Sequence, residues 1–128
     1  MNPRSRAWTG RSLSWLFALF VLGASVPPKL FGMPIAEQTM AQLGWPAGYA
    51  VAIGLFELLF VALYLIPRTR LLGAVLMTGL LGGAIATHLR AGSHMFTHAL
   101  FGAYLGCFMW GGLWLRDERL RALLPVAR

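Results

Sequence analysis

Charge is scarce in this chain. Only 12% of its 128 residues are Asp, Glu, Lys or Arg, about half the share of a soluble domain. Acid is scarcer still, with four Asp and Glu against eleven Lys and Arg. The hydrophobic share is 58%, more than a water-soluble chain of this length can hide in one core. There is one cysteine, Cys107, so dithiol chemistry within the chain is excluded, and its apolar neighbours suit a protonated core thiol. No Gly-x-Gly-x-x-Gly, P-loop, Ser–His–Asp or His-Glu-x-x-His pattern occurs, which removes support for a nucleotide enzyme, a hydrolase or a zinc protease. The formal charge of +7 does not imply nucleic acid. The basic residues form no face or stripe; they cluster at the ends of apolar runs, as membrane proteins place them.

Those runs carry the fold. The first goes from Leu13 to Val26 and on through Pro27–Pro28 to Phe31, the second from Ala47 to Ile66 around the single charge of Glu57. The third goes from Leu71 to Leu89, without charge before His88, and the fourth from Ala99 to Leu115. Each approaches the roughly 20 residues that cross about 30 Å of hydrocarbon as a helix. Backbone in lipid must satisfy its own hydrogen bonds, and strand alternation is absent. The expectation is an all-α protein, a four-transmembrane-helix bundle forming a single integral membrane domain over residues 1–128. Its spans run over about 12–31, 46–66, 70–90 and 97–115. The first run also resembles a signal peptide, with Arg4, Arg6 and Arg11 before it and Gly23-Ala24-Ser25 late in it.

Arginine placement sets the orientation. Arg4, Arg6 and Arg11, then Arg68 and Arg70, then Arg116, Arg119, Arg121 and Arg128 fall on one side, and only Lys29 and Arg90 on the other. The positive-inside rule puts both termini in the cytoplasm. Trp8, Trp15, Tyr64, Trp110 and Trp114 then lie near the inner interface, Trp45 and Tyr49 near the outer. Pro67 marks an inner turn, and Gly92 with Ser93 marks a stop and a new N-cap near His94. Between the first two spans, Pro34 to Pro46 reads either as a short amphipathic segment on the outer surface, with Ala36, Met40 and Leu43 on one side, or as an irregular loop. Gly79–Gly83, Gly102–Gly106 and Ala50–Gly54 are candidate close-packing pairs between helices.

Few side chains can carry chemistry. A carboxylate at mid-bilayer is costly and persists where it is buried or paired, which makes Glu57 the leading candidate for proton exchange. Helical spacing puts it on one stripe with Ala50, Gly54, Val61 and Tyr64, facing the other helices. The competing role is hydrogen-bonding glue for the bundle. Lys29 either snorkels to the outer interface or turns inward toward Glu57. His88, Arg90, His94 and His98 gather near the outer ends of the third and fourth runs. They lack the carboxylate or cysteine that completes a metal set, so no metal site is assigned. The candidate ligand-binding residues are Lys29, Glu57, His88, Arg90 and His98.

Several segments in order resemble the DoxX-like family of small four-helix bacterial membrane proteins. They are Lys29-Leu30-Phe31, Gly54-Leu55-Phe56-Glu57-Leu58, Pro67-Arg68 and Gly83-Ala84-Ile85-Ala86-Thr87-His88. The tail Trp110-Gly111-Gly112-Leu113-Trp114-Leu115-Arg116, Arg119-Leu120-Arg121 and Leu124-Pro125 extends the likeness over nearly the whole chain. Pro27–Pro28 departs from the small or glycine residue expected ahead of the lysine. The resemblance implies a multi-pass protein of the bacterial cytoplasmic (inner) membrane, with Lys29, Glu57 and His88 at the family's polar positions. Some such proteins are membrane subunits associated with thiosulfate:quinone oxidoreduction or with oxidative-stress complexes. The expected function is a redox-associated, quinone- or lipid-handling membrane subunit, accessory rather than an autonomous enzyme. No cofactor is intrinsic, because nothing in the chain holds electrons. A quinone or lipid ligand, the lipid bilayer, a soluble redox partner protein and a second copy in a homo-oligomer are the expected partners, and nucleic acid is not. A small transporter or channel, and a non-catalytic assembly scaffold, are the alternatives.

Overall fold

The structure, a computed structural model, describes residues 2–127 and contains helices without strands among them. Helix α1, Pro3–Phe20, starts where its capping residues dictate: the Asn2 side chain accepts the Ser5 amide at 2.7 Å. Pro3 takes the first helical position, where no backbone donor is needed. The rod does not stop at Phe20. One π-helical turn, Val21–Ser25, leads directly into α2, Val26–Leu30. Pro27 and Pro28 remove two amide donors, and the wider turn ahead of them absorbs the mismatch, with the Val26 N–H reaching back to the Val21 carbonyl. The proline pair therefore widens the rod locally without ending it.

Pro34–Gln42 is a helix, α3, not an irregular loop. It buries Ala36 and Met40, one turn apart, beside Ala50 at the start of α4, Tyr49–Leu65. Pro67 separates α4 from α5, Arg70–Arg90. Gly92 ends α5 at φ 74°, and the Ser93 N–H returns to the His88 carbonyl at 3.0 Å, a left-handed closure that glycine takes without strain. His94, rather than Ser93, takes the cap position of a second π-helical turn, Met95–Ala99, which precedes α6, Phe101–Arg116. A short α7, Glu118–Leu123, is capped by the Asp117 side chain.

The long helices close a ring: α1 lies on α6, α6 on α5, α5 on α4, and α4 on α2. Phe17, Ala18, Val21, Val61, Ala74, Met77, Met109 and Leu113 fill the middle. Glycine sets the closest approaches. A Cβ on Gly112 would stand 2.8 Å from the Gly10 carbonyl oxygen, and one on Gly102 would stand 3.0 Å from that of Leu81. Gly54 packs as expected, but Gly79, Gly83 and Gly106 meet nothing within 4 Å. Small residues at helical spacing mark a possible contact face, and only the partner helix decides whether it is used. Tyr64 is buried with the stripe of α4 that faces the other helices, as its spacing predicts, whereas Cys107 departs from expectation in being exposed rather than core.

Large apolar side chains cover the outside, among them Leu16, Leu19, Leu55, Phe56, Leu72 and Val75. Monomeric soluble proteins rarely present apolar surface so continuously. The rods Pro3–Leu30 and Arg70–Arg90 are long and apolar enough to cross a membrane, yet their most apolar stretches are only 28% and 17% buried. The buried core helix of a soluble protein would show the reverse. Tyr49–Leu65 is also apolar but shorter, held to 17 residues between Gly48 and Pro67, and α6 has 16.

Candidate functional site

Ion-pair geometry at one end of the ring follows from helix register. Gly54 has no side chain, so the Lys29 stem comes to within 2.9 Å of where its Cβ would be. Glu57 stands three residues further along α4, a rise of about 4.5 Å, well inside the reach of a lysine. The ammonium donates to Glu57 Oε1 at 2.7 Å and to Ser25 Oγ at 2.8 Å, while the Ser25 hydroxyl donates to Glu57 Oε2 at 2.7 Å. A further bond from Lys29 to the Ser25 carbonyl, at 3.2 Å, ties the ammonium to the π-helical turn. Of the two directions open to Lys29, the side chain takes the inward one. Because the rod continues past the proline pair, Lys29 stands beside Gly54 and within reach of Glu57.

The pair is not sealed. Lys29 and Glu57 keep 20% and 13% side-chain exposure, and they form one wall of a cleft of about 370 Å³, within the lower range of small-ligand sites. Phe20, Met40, Ile85, Phe101 and Leu105 supply much of the apolar lining. His88 and His98 also line it, their rings 6.1 Å apart. The Nδ1 of His88 bonds Ser93 Oγ at 3.0 Å and that of His98 bonds Thr97 Oγ1 at 2.8 Å, which leaves each Nε2 available. Four of the five candidate binding residues, Lys29, Glu57, His88 and His98, thus share one cavity. Arg90 does not: it stands exposed at the end of α5.

Ser25 escaped the sequence reading, although its place four residues before Lys29 puts both on one helical face. A second polar cluster also escaped it. Tyr64 donates to the Met109 carbonyl at 2.7 Å and meets Ser14 Oγ at 2.7 Å, and the Arg116 guanidinium donates to Ser14 Oγ at 2.8 Å. Ser14 and Tyr64 lie buried between α1, α4 and α6 with Arg116 half-buried at their edge, and the cluster opens to no cleft residue named above, so its work is to lock three helices together.

Among the described residues no group of three or more metal-ligating side chains comes together. The cleft offers one cation, one carboxylate, the hydroxyls of Ser25 and Thr39 and two imidazoles around an apolar slot, a set suited to hydrogen-bonding a flat polar ring and exchanging protons with it. No curated protein and no solved structure matches the chain. The family model of the DoxX-like family matches residues 12–112, a span that contains the whole cleft, and the chain belongs to that family of membrane proteins.

Proposed function

We propose that the protein crosses the bacterial cytoplasmic membrane four times and holds a quinone-like ring in this cleft, as an accessory subunit to a redox partner. The observation that carries this reading is the Lys29–Glu57–Ser25 cluster at one wall of an apolar slot, with two imidazoles also lining it. A quinone presents two carbonyl oxygens at opposite ends of an apolar ring. The Lys29 ammonium can donate to one by giving up its 3.2 Å bond to the Ser25 carbonyl, and a histidine Nε2–H can donate to the other. Glu57, a carboxylate in the ion pair, can take up a proton from water in the open cleft and relay it to a reduced oxygen. Electrons must come from the partner, since no side chain here carries them. The four-span arrangement is supported by apolar side chains facing outward from every long helix.

One observation favours a purely structural role for the pair. Among the described residues every buried polar side-chain atom has a partner, so the ion pair needs no ligand to complete it. Glu57→Gln separates the two readings, because its one amide oxygen can still accept from Lys29 and its NH2 can donate to a reoriented Ser25 hydroxyl, but it exchanges no proton. At matched membrane abundance, the Gln variant should fail to complement an oxidant-stress phenotype, and wild-type protein extracted in mild detergent should retain quinone in native mass spectrometry. Full complementation by the variant would remove Glu57 from the chemistry.

A further inference from the structure

At the other end of the rods the arginines converge. Arg6, Arg68, Arg70, Arg116, Arg119 and Arg121 line one open basin of about 920 Å³, opposed by only two carboxylates, Asp117 and Glu118. Arg6 and Lys29 stand on the same continuous rod, roughly 35 Å apart at 1.5 Å per residue, so this basin is separate from the cleft. A charge bias across the membrane accounts for the sign of these residues. It does not account for their facing a common concavity, because arginines splayed into water satisfy the same bias.

The basin is short of anions. Asp117 is already occupied by the amides of Arg119 and Leu120 and lies 3.6 Å from Arg119 Nε. Among the described residues no salt bridge reaches Arg6, Arg68 or Arg70. Arg6 and Arg70 are half-buried near the N-termini of α1 and α5, whose first turns carry no acid. Helix dipoles make those ends positive, which favours anions and disfavours the cations found there. Arg116 and Arg121 are pre-positioned by bonds to the carbonyls of Gly112, Trp114 and Leu115.

An apolar groove of about 380 Å³, walled by Trp110, Trp114, Leu124 and Pro125, adjoins the basin and shares Leu115 and Leu120 with it. A cationic basin running into an apolar groove is complementary to an amphiphile with an anionic head. We propose that this end of the protein binds one anionic glycerophospholipid, its phosphate among Arg6, Arg68 and Arg70 and an acyl chain along Trp110, Trp114 and Leu124. Arg6, Arg116, Arg119, Arg121, Trp114 and Leu124 all fall outside the family match at residues 12–112.

Native mass spectrometry of the detergent-purified full chain tests it, with phosphatidylglycerol, phosphatidylcholine and inorganic phosphate as the probes. One phosphatidylglycerol should be retained per chain, about tenfold better than phosphatidylcholine at equal concentration, and excess inorganic phosphate should not displace it. The double variant Arg6→Gln/Arg70→Gln should lose that preference, while Arg6→Lys/Arg70→Lys keeps most of it. If the double Gln variant does not fold, Arg68→Gln, at an exposed position, should still weaken retention severalfold. Equal retention of the two lipids, or an unchanged preference in the Gln variants, would overturn the site. Complete displacement by inorganic phosphate would reduce it to a phosphate site and overturn the lipid.

Discussion

A charged pair in apolar surroundings is coupled more tightly than either charge alone. Removing one partner leaves the other desolvated and uncompensated, whereas replacing both with apolar groups of similar size leaves nothing to compensate. Lys29→Met should therefore destabilise the protein by about 2–3 kcal/mol, below the figure for fully buried pairs because some solvent reaches this one. Lys29→Met/Glu57→Leu should recover most of the loss, as read by denaturant unfolding of all variants in one detergent. Simple addition of the two single losses would show that the 2.7 Å contact is not energetically coupled. Glu57 was legible from the sequence as the lone charge in an apolar run, and its stripe of Ala50, Gly54, Val61 and Tyr64 is the face that α4 buries. The direction of Lys29 was not legible. It depends on whether the rod survives Pro27–Pro28, and that depends on the π-helical turn before them.

Helices in this protein meet through particular glycines, and substitutions there should sort by what the new methyl touches. Gly112→Ala puts a Cβ against the Gly10 carbonyl and the Ser14 amide at 2.8 and 2.9 Å, both backbone atoms that cannot swing aside. The expected cost is about 1–3 kcal/mol from forced separation of α1 and α6. Gly79→Ala meets open space and should be neutral or stabilising by up to about 1 kcal/mol through helix propensity. Thermal unfolding of the two variants side by side distinguishes a packing glycine from an idle one. At α7 the governing group is Asp117. Burial pushes its carboxyl up, but the amides of Leu120 and Arg119 and the Arg119 charge outweigh this, and it is held below the usual carboxylate range. A depressed folded-state pKa contributes stability above the unfolded value and loses it as pH falls through the folded one. Amide protection over residues 119–124, taken relative to the intrinsic exchange rate at each pH, should thus be steady near neutral pH and fall only below about pH 4. Asp117→Ala should produce the same loosening at neutral pH, at a cost of about 1 kcal/mol.

At the scale of the molecule, charge asymmetry and outward apolar surface give a topology that labelling can read. Single cysteines at positions 5, 69 and 122, in a Cys107→Ser background, should be labelled from the cytoplasmic side, and those at 38 and 93 from the other. Opposite labelling at 69 would break the four-span reading. The helical class, the membrane character and Glu57 were determined by the sequence alone. Each follows from local quantities: length of apolar run, position of arginine and proline, and the cost of a lone charge in hydrocarbon. Only the tertiary structure decided that Lys29 turns inward beside Gly54, that His88 and His98 share its cleft while Arg90 does not, and that Gly10 and Gly112 rather than Gly79 and Gly83 join helices. These depend on the rotation and axial offset of one helix against another. Those two parameters are set by packing across the ring, among residues such as Ser14, Tyr64 and Met109 that stand about 45–50 positions apart in the chain and carry no local signal of one another.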